Sequence, residues 1–90
     1  MRISEAKKEK ISEQILAFLY SSFPKLFFTS TIAREIARDE EFVKTLLGSL
    51  KKKKLIVEIR KNQNGKDYIR RSRWKLEDEV YSAYKGYQKI

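Results

Sequence analysis

DEEFVKTLLGSLKKKKLIVEIR, residues 39–60, holds a helix, its end and the strand that follows. Asp39 is a capping residue, because its side chain can accept a hydrogen bond from a free amide of the first turn. Glu40 and Glu41 come next, where negative charge complements the helix dipole. Val43, Leu46, Leu47 and Leu50 recur at helical spacing and form one apolar stripe. Lys51, Lys52, Lys53 and Lys54 occupy the last turn, where positive charge is favoured for the mirror reason. Leu55-Ile56-Val57-Glu58-Ile59-Arg60 is β-branched and alternates from Ile56 on, so it predicts a strand.

Downstream, Asn62-Gln63-Asn64-Gly65 is the strongest turn signal in the chain. Asn-Gly tolerates the positive φ that a tight hairpin needs. A return strand is expected from Asp67 to about Lys75, with Tyr68 and Trp74 sharing parity with Leu76. A final helix is expected over residues 77 to about 88. Its first turn is acidic (Glu77, Asp78, Glu79), and Val80, Ala83, Tyr84 and Tyr87 line one face.

Upstream, residues 4 to about 22 predict a helix with Ile11, Ile15, Phe18 and Leu19 on one stripe. Pro24 lies just beyond it, where it cannot continue a helix. Leu26-Phe27-Phe28 fits a brief strand. Thr29 or Ser30 then offers an N-cap oxygen to a second helix. Ile32, Ala33, Ile36 and Ala37 give that helix an apolar face, and it should end near Arg38.

Charge is distributed very unevenly. Residues 51–75 hold eleven of the 21 basic side chains and only Glu58 and Asp67 of the 12 acids, so they carry all of the net +9. Self-repulsion disfavours such crowding, and a surface of this kind suits a polyanion, nucleic acid first. Charged residues also blunt exposed sheet edges, but that purpose does not require acids to be nearly absent.

Composition narrows the alternatives. Ninety residues make one domain with a modest core. There is no Cys and no His, so no disulfide, no thiolate metal site and no histidine base. No constellation of carboxylates, Lys, Tyr or Ser suggests an enzyme, and no metal or cofactor is called for. The longest apolar run, residues 15–20, is far too short to cross a bilayer. Met1-Arg2-Ile3-Ser4 lacks a signal peptide's apolar segment. The expected compartment is therefore the cytoplasm, with no membrane partner. Heavy use of Lys and Glu fits a thermophile-like composition.

The order helix, strand, helix, helix, hairpin, helix resembles the winged helix-turn-helix family, especially small archaeal and bacterial transcriptional regulators. The resemblance rests on Thr29-Ser30-Thr31-Ile32-Ala33, then Ile36, Val43, Leu47 and Leu50. Leu55-Ile56 follows at the entry to the wing, and Trp74-Lys75-Leu76 resembles the aromatic-x-Leu that closes the return strand. It covers roughly residues 10 to 76. These positions are generic and mostly apolar, so they specify the fold better than any operator. Two positions depart from the pattern. Lys54 stands where the family usually has Gly at the exit of the third helix, so either Lys54 is strained or the chain leaves the helix differently. Glu40 and Glu41 stand where many members begin their base-reading surface.

The resemblance implies a mainly α fold with a small antiparallel hairpin, a winged-helix domain over residues 1–76 and a C-terminal helix over 77–90. It implies sequence-specific binding of double-stranded DNA by a homodimeric transcriptional regulator; the sequence itself makes no small-molecule effector evident. The third helix would enter the major groove, its exposed face formed by Lys44, Thr45, Gly48 and Ser49. Lys44, Thr45 and Ser49 would read bases. Lys51, Lys52, Arg60, Lys61, Asn62, Asn64, Lys66, Arg70 and Arg71 would meet the backbone or the adjacent minor groove. Val80, Ala83, Tyr84 and Tyr87 would form the dimer contact. Two other readings are a protein–protein module within a larger assembly, and RNA binding through the basic hairpin.

Overall fold

The computed structural model describes residues 4–60 and 72–88, apart from the side chains of Tyr87 and Gln88. The expected turn at residues 62–65 lies outside the described residues, as do Lys61, Asn62, Asn64, Lys66, Arg70 and Arg71. The elements in chain order are α1 (Glu5–Ser21), β1 (Phe27–Phe28), α2 (Thr29–Glu35), α3 (Glu40–Lys52), β2 (Ile56–Ile59), β3 (Arg73–Leu76) and α4 (Asp78–Gln88).

The helix starts follow local chemistry in two places and not in a third. The Ser4 side chain accepts from the Lys7 amide at 3.2 Å, and Asp39 accepts from the Phe42 amide at 3.1 Å. Each replaces a partner that the first turn of a helix lacks. At α2 the expected cap is absent. The capping position is Phe28, with no side-chain bond, and Thr29 is already helical. The Thr29 hydroxyl instead accepts from the Trp74 indole Nε1 at 2.9 Å. Trp74 is buried. A buried indole N–H needs a partner, and that need takes the oxygen the cap would have used.

Both inner helices end on a left-handed residue that is not glycine. In α2, Ala37 has φ 56°, its amide bonds Arg34 O at 3.2 Å, and the Arg38 amide bonds Ala33 O at 2.9 Å. In α3, Lys54 has φ 62°, its amide bonds Lys51 O at 2.9 Å, and the Leu55 amide bonds Leu50 O at 3.1 Å. This pair of bonds defines the Schellman ending. Lys54 therefore takes the strained conformation, and the helix exit keeps its usual geometry. Two boundaries differ from expectation for the same reason. Ala37 is an exposed turn residue and not part of the apolar face of α2. Lys53 caps α3 and Lys54 lies past it, so only Lys51 and Lys52 lie in the last turn.

The expected stripes converge on one core. Ile11, Ile15 and Leu19 of α1, Ile32 and Ala33 of α2, and Val43, Leu46, Leu47 and Leu50 of α3 are buried together. Ile56, Trp74 and Leu76 close it from the sheet. The sheet has three antiparallel strands in the order β1-β3-β2, with Phe27 opposite Trp74 and Ile56 opposite Leu76. The return strand is thus central, and the two residues of β1 cover its outer edge.

Helix α4 turns back onto this body. The Tyr81 ring stacks on Phe23 at 3.9 Å and 9°, and lies 5.2 Å from the Tyr20 ring. Val80 and Tyr81 are half-buried against the core. Of the expected apolar stripe, Val80 is therefore partly consumed within the chain. Ala83 is exposed, and Tyr84 is 43% exposed with its ring edge-on to Tyr20.

Candidate nucleic-acid interface

A concave surface of about 680 Å³ opens between the start of α2, one face of α3 and the base of the hairpin. Helix α3 supplies Glu40, Glu41, Lys44, Gly48, Lys51 and Lys52. These fall at helical spacing on the side away from Val43, Leu46, Leu47 and Leu50. Ser30 contributes from α2, and Glu58, Arg60, Ser72 and Trp74 contribute from the hairpin base.

The charge in this concavity is mixed. Glu58 is a site residue that the sequence pattern did not single out. It shares parity with Ile56 on β2, so alternation aims it toward the core side of the sheet. There the core runs out and the end of α3 meets the hairpin. Lys51 Nζ lies 2.7 Å from Glu58 Oε1, and the Ser72 hydroxyl donates to Oε2. Burial alone would raise the Glu58 pKa. The hydrogen bonds from Lys51 and Ser72, with the charges of Lys51 and Arg60, outweigh burial and hold it below the ordinary glutamate value. The spacing of Ile56 and Glu58 was the available signal. The Lys51 partner, seven residues earlier, was not, because it depends on how α3 packs against the sheet.

The expected contact residues separate into three groups. Lys44, Lys52 and Arg60 line the concavity and are exposed. Lys51 lines it too, but its ammonium is committed to Glu58 and so ties α3 to β2. Thr45 and Ser49 are exposed on the adjoining strip of α3, outside the concavity's lining. The Thr45 hydroxyl donates to the Glu41 carbonyl at 3.1 Å. Glu40 and Glu41 line the surface while occupying the first turn of α3. Six expected contacts, Lys61, Asn62, Asn64, Lys66, Arg70 and Arg71, belong to the segment outside the described residues.

No family model matches this chain, and no curated protein matches it. Solved structures do. S. aureus MepR in complex with DNA superposes with a TM-score of 0.70 at 25% identity, over 86% of this chain and 59% of that one. The fold is a winged helix. A MepR point mutant from a multidrug-resistant S. aureus clinical isolate matches at TM-score 0.69 and 23% identity, over 90% of this chain and 56% of that one. ZitR of Lactococcus lactis, a zinc-responsive MarR family member, matches at 0.63 and 18%, over 97% of this chain and 52% of that one. This winged helix thus spans little more than half the length of the solved chains it matches. Among its described residues, no helix is long and apolar enough to cross a membrane.

Proposed function

We propose that this winged helix binds double-stranded DNA in a sequence-specific manner as the DNA-contacting part of a transcriptional regulator. One observation carries the reading. The concave surface of α3 and the hairpin base sits on a fold shared, at 25% identity, with a MepR that is bound to DNA. In this reading α3 enters the major groove, whose width admits a helix. Lys44, Thr45 and Ser49 face bases. Lys52 and Arg60 meet phosphates, and the basic residues of the hairpin extend those contacts along the backbone or into the minor groove. Lys51 acts with Glu58 to hold α3 against the wing. The function is binding and not catalysis, and the protein acts in the cytoplasm. A second copy would meet the strip left exposed on α4, at Ala83 and Tyr84.

Phosphate contacts release counterions, so affinity must fall with salt. Roughly half of the nine excess charges can touch phosphate at once, which gives a slope of about −3 to −5 in log K against log salt for each chain. The test is a fluorescence titration with duplex DNA, single-stranded DNA and duplex RNA over a tenfold salt range. Preference for duplex DNA with this slope supports the reading. Absent binding at about 50 mM salt, or a flat salt response, overturns it. Stronger binding to RNA would transfer the role to the hairpin.

A further inference from the structure

Gly48 stands in the interior of α3, well before the helix closes on Lys54 by its left-handed ending. Glycine there weakens a helix relative to alanine, so its presence asks for a cause. Three causes are physically available. The first is a backbone angle that side chains avoid. Gly48 lies within a regular α-helix, and no positive φ occurs there. The second is close packing within the fold. Among the described residues, a Cβ built on Gly48 meets nothing within 4 Å. The third is an outside body that approaches the helix backbone more closely than a side chain allows.

Placement favours the third. Gly48 lines the concavity between α3 and the hairpin base, one turn after Lys44 and one turn before Lys51 and Lys52. It faces away from the buried stripe of α3, toward the space that the concavity leaves open. Lys44 and Lys52 thus flank, fore and aft, a single helical position with no side chain, with Lys51 beside it paired to Glu58. We propose that Gly48 is the point of closest approach between α3 and the duplex, and that its missing side chain sets how deeply the helix seats in the groove. This rests on the DNA-binding reading above. A methyl group at this position lifts the helix away from the base edges, and every contact made by the neighbouring residues lengthens with it.

The inference separates folding from binding, because the same substitution moves them in opposite directions. Gly48→Ala relieves the helix of its glycine, so the melting temperature rises by roughly 4–8 °C. Duplex affinity falls on the order of tenfold, the worth of one good base contact. Gly86→Ala is the control. It is another helical glycine with open space around an added Cβ, and it lies on α4 in the last turn, remote from the concavity. It leaves duplex affinity unchanged.

The measurement is fluorescence anisotropy of the intact chain and both variants against one selected duplex, beside thermal melts. A higher melting point with weaker binding for Gly48→Ala, and unaltered binding for Gly86→Ala, supports the proposal. Unaltered duplex binding by Gly48→Ala, with the intact chain binding normally, overturns it and leaves the DNA-binding reading standing. A lowered melting point for Gly48→Ala also overturns it, because the glycine would then serve the fold. If the intact chain binds no duplex at all, the DNA-binding reading fails, and this inference fails with it.

Discussion

Lys54 shows how much a single residue can be forced by its neighbours. Its φ of 62° disfavours any side chain with a Cβ. The Schellman bonds to Lys51 and Leu50, and the half-buried Leu55 that follows, hold it there. Glycine would take the same angle without that penalty. Lys54→Gly should therefore stabilise the domain by about 1 kcal/mol, seen as a higher urea midpoint at unchanged slope. A lower midpoint would mean that the lysine side chain contributes something its exposure does not suggest. Glu58 carries a different residue-scale signal. Its folded pKa is depressed, so the stability it contributes is present above its unfolded pKa and is lost as pH falls through the folded value. Acidification from about pH 5 to 3 should lower the melting temperature of the intact chain more steeply than that of Glu58→Gln. Parallel curves would remove Glu58 from the account.

Among the elements, α4 is the one whose role depends on partners far away in sequence. Tyr81 is half-buried, stacks on Phe23 and touches Tyr20, whereas Tyr84, one turn later, is 43% exposed and meets Tyr20 by its edge. The two tyrosines should therefore behave differently when truncated. Tyr81→Ala opens a space in an aromatic cluster and should cost about 2–3 kcal/mol, somewhat below a fully buried aromatic. Tyr84→Ala should cost under about 1 kcal/mol in a monomer. Thermal melts at low protein concentration separate the two, and equal losses would contradict the packing described. At the hairpin base, the Lys51–Glu58 pair joins α3 to β2. Lys51 is more than half exposed, so the pair is worth little as stability, about 1 kcal/mol at most. Its consequence is geometric: it fixes the end of α3 relative to β2.

For the whole molecule, Ala83 and Tyr84 form a strip that the fold leaves exposed. A 90-residue chain buries a limited core, and a two-fold pairing would bury this strip and add stability. The same axis could set two α3 helices one DNA turn apart, roughly 34 Å. Sedimentation at tens of micromolar should then give a dimer for the intact chain and a monomer for Tyr84→Glu. A monomeric intact chain would falsify the pairing, and the contacts of α4 with α1 and Phe23 would be its full role. Such a result would leave the concavity of α3 and the hairpin base untouched, because among the described residues α4 lines no part of it.

The sequence alone determined what depends on near neighbours. The α3 stripe, Ile11, Ile15 and Leu19 of the α1 stripe, the Asp39 cap and the burial of Trp74 and Leu76 on one face all follow from spacing within one element and appear as read, whereas β2 buries only Ile56 and leaves Val57, Glu58 and Ile59 alike half-buried. Net charge concentrated at residues 51–75 was equally legible, since it needs only counting. Tertiary structure decided whatever joins residues distant along the chain. Thr29 had the chemistry of a cap, but Trp74, 45 residues away, required its oxygen. Val80 belonged to an exposed stripe by periodicity, but the packing of α4 buried part of it. Lys51 was one basic residue in a run of four until β2 brought Glu58 to it. A side chain's local alternatives often differ by about 1 kcal/mol or less. A buried group left without its partner costs more than that, so long-range contacts choose among options that local sequence leaves nearly equal.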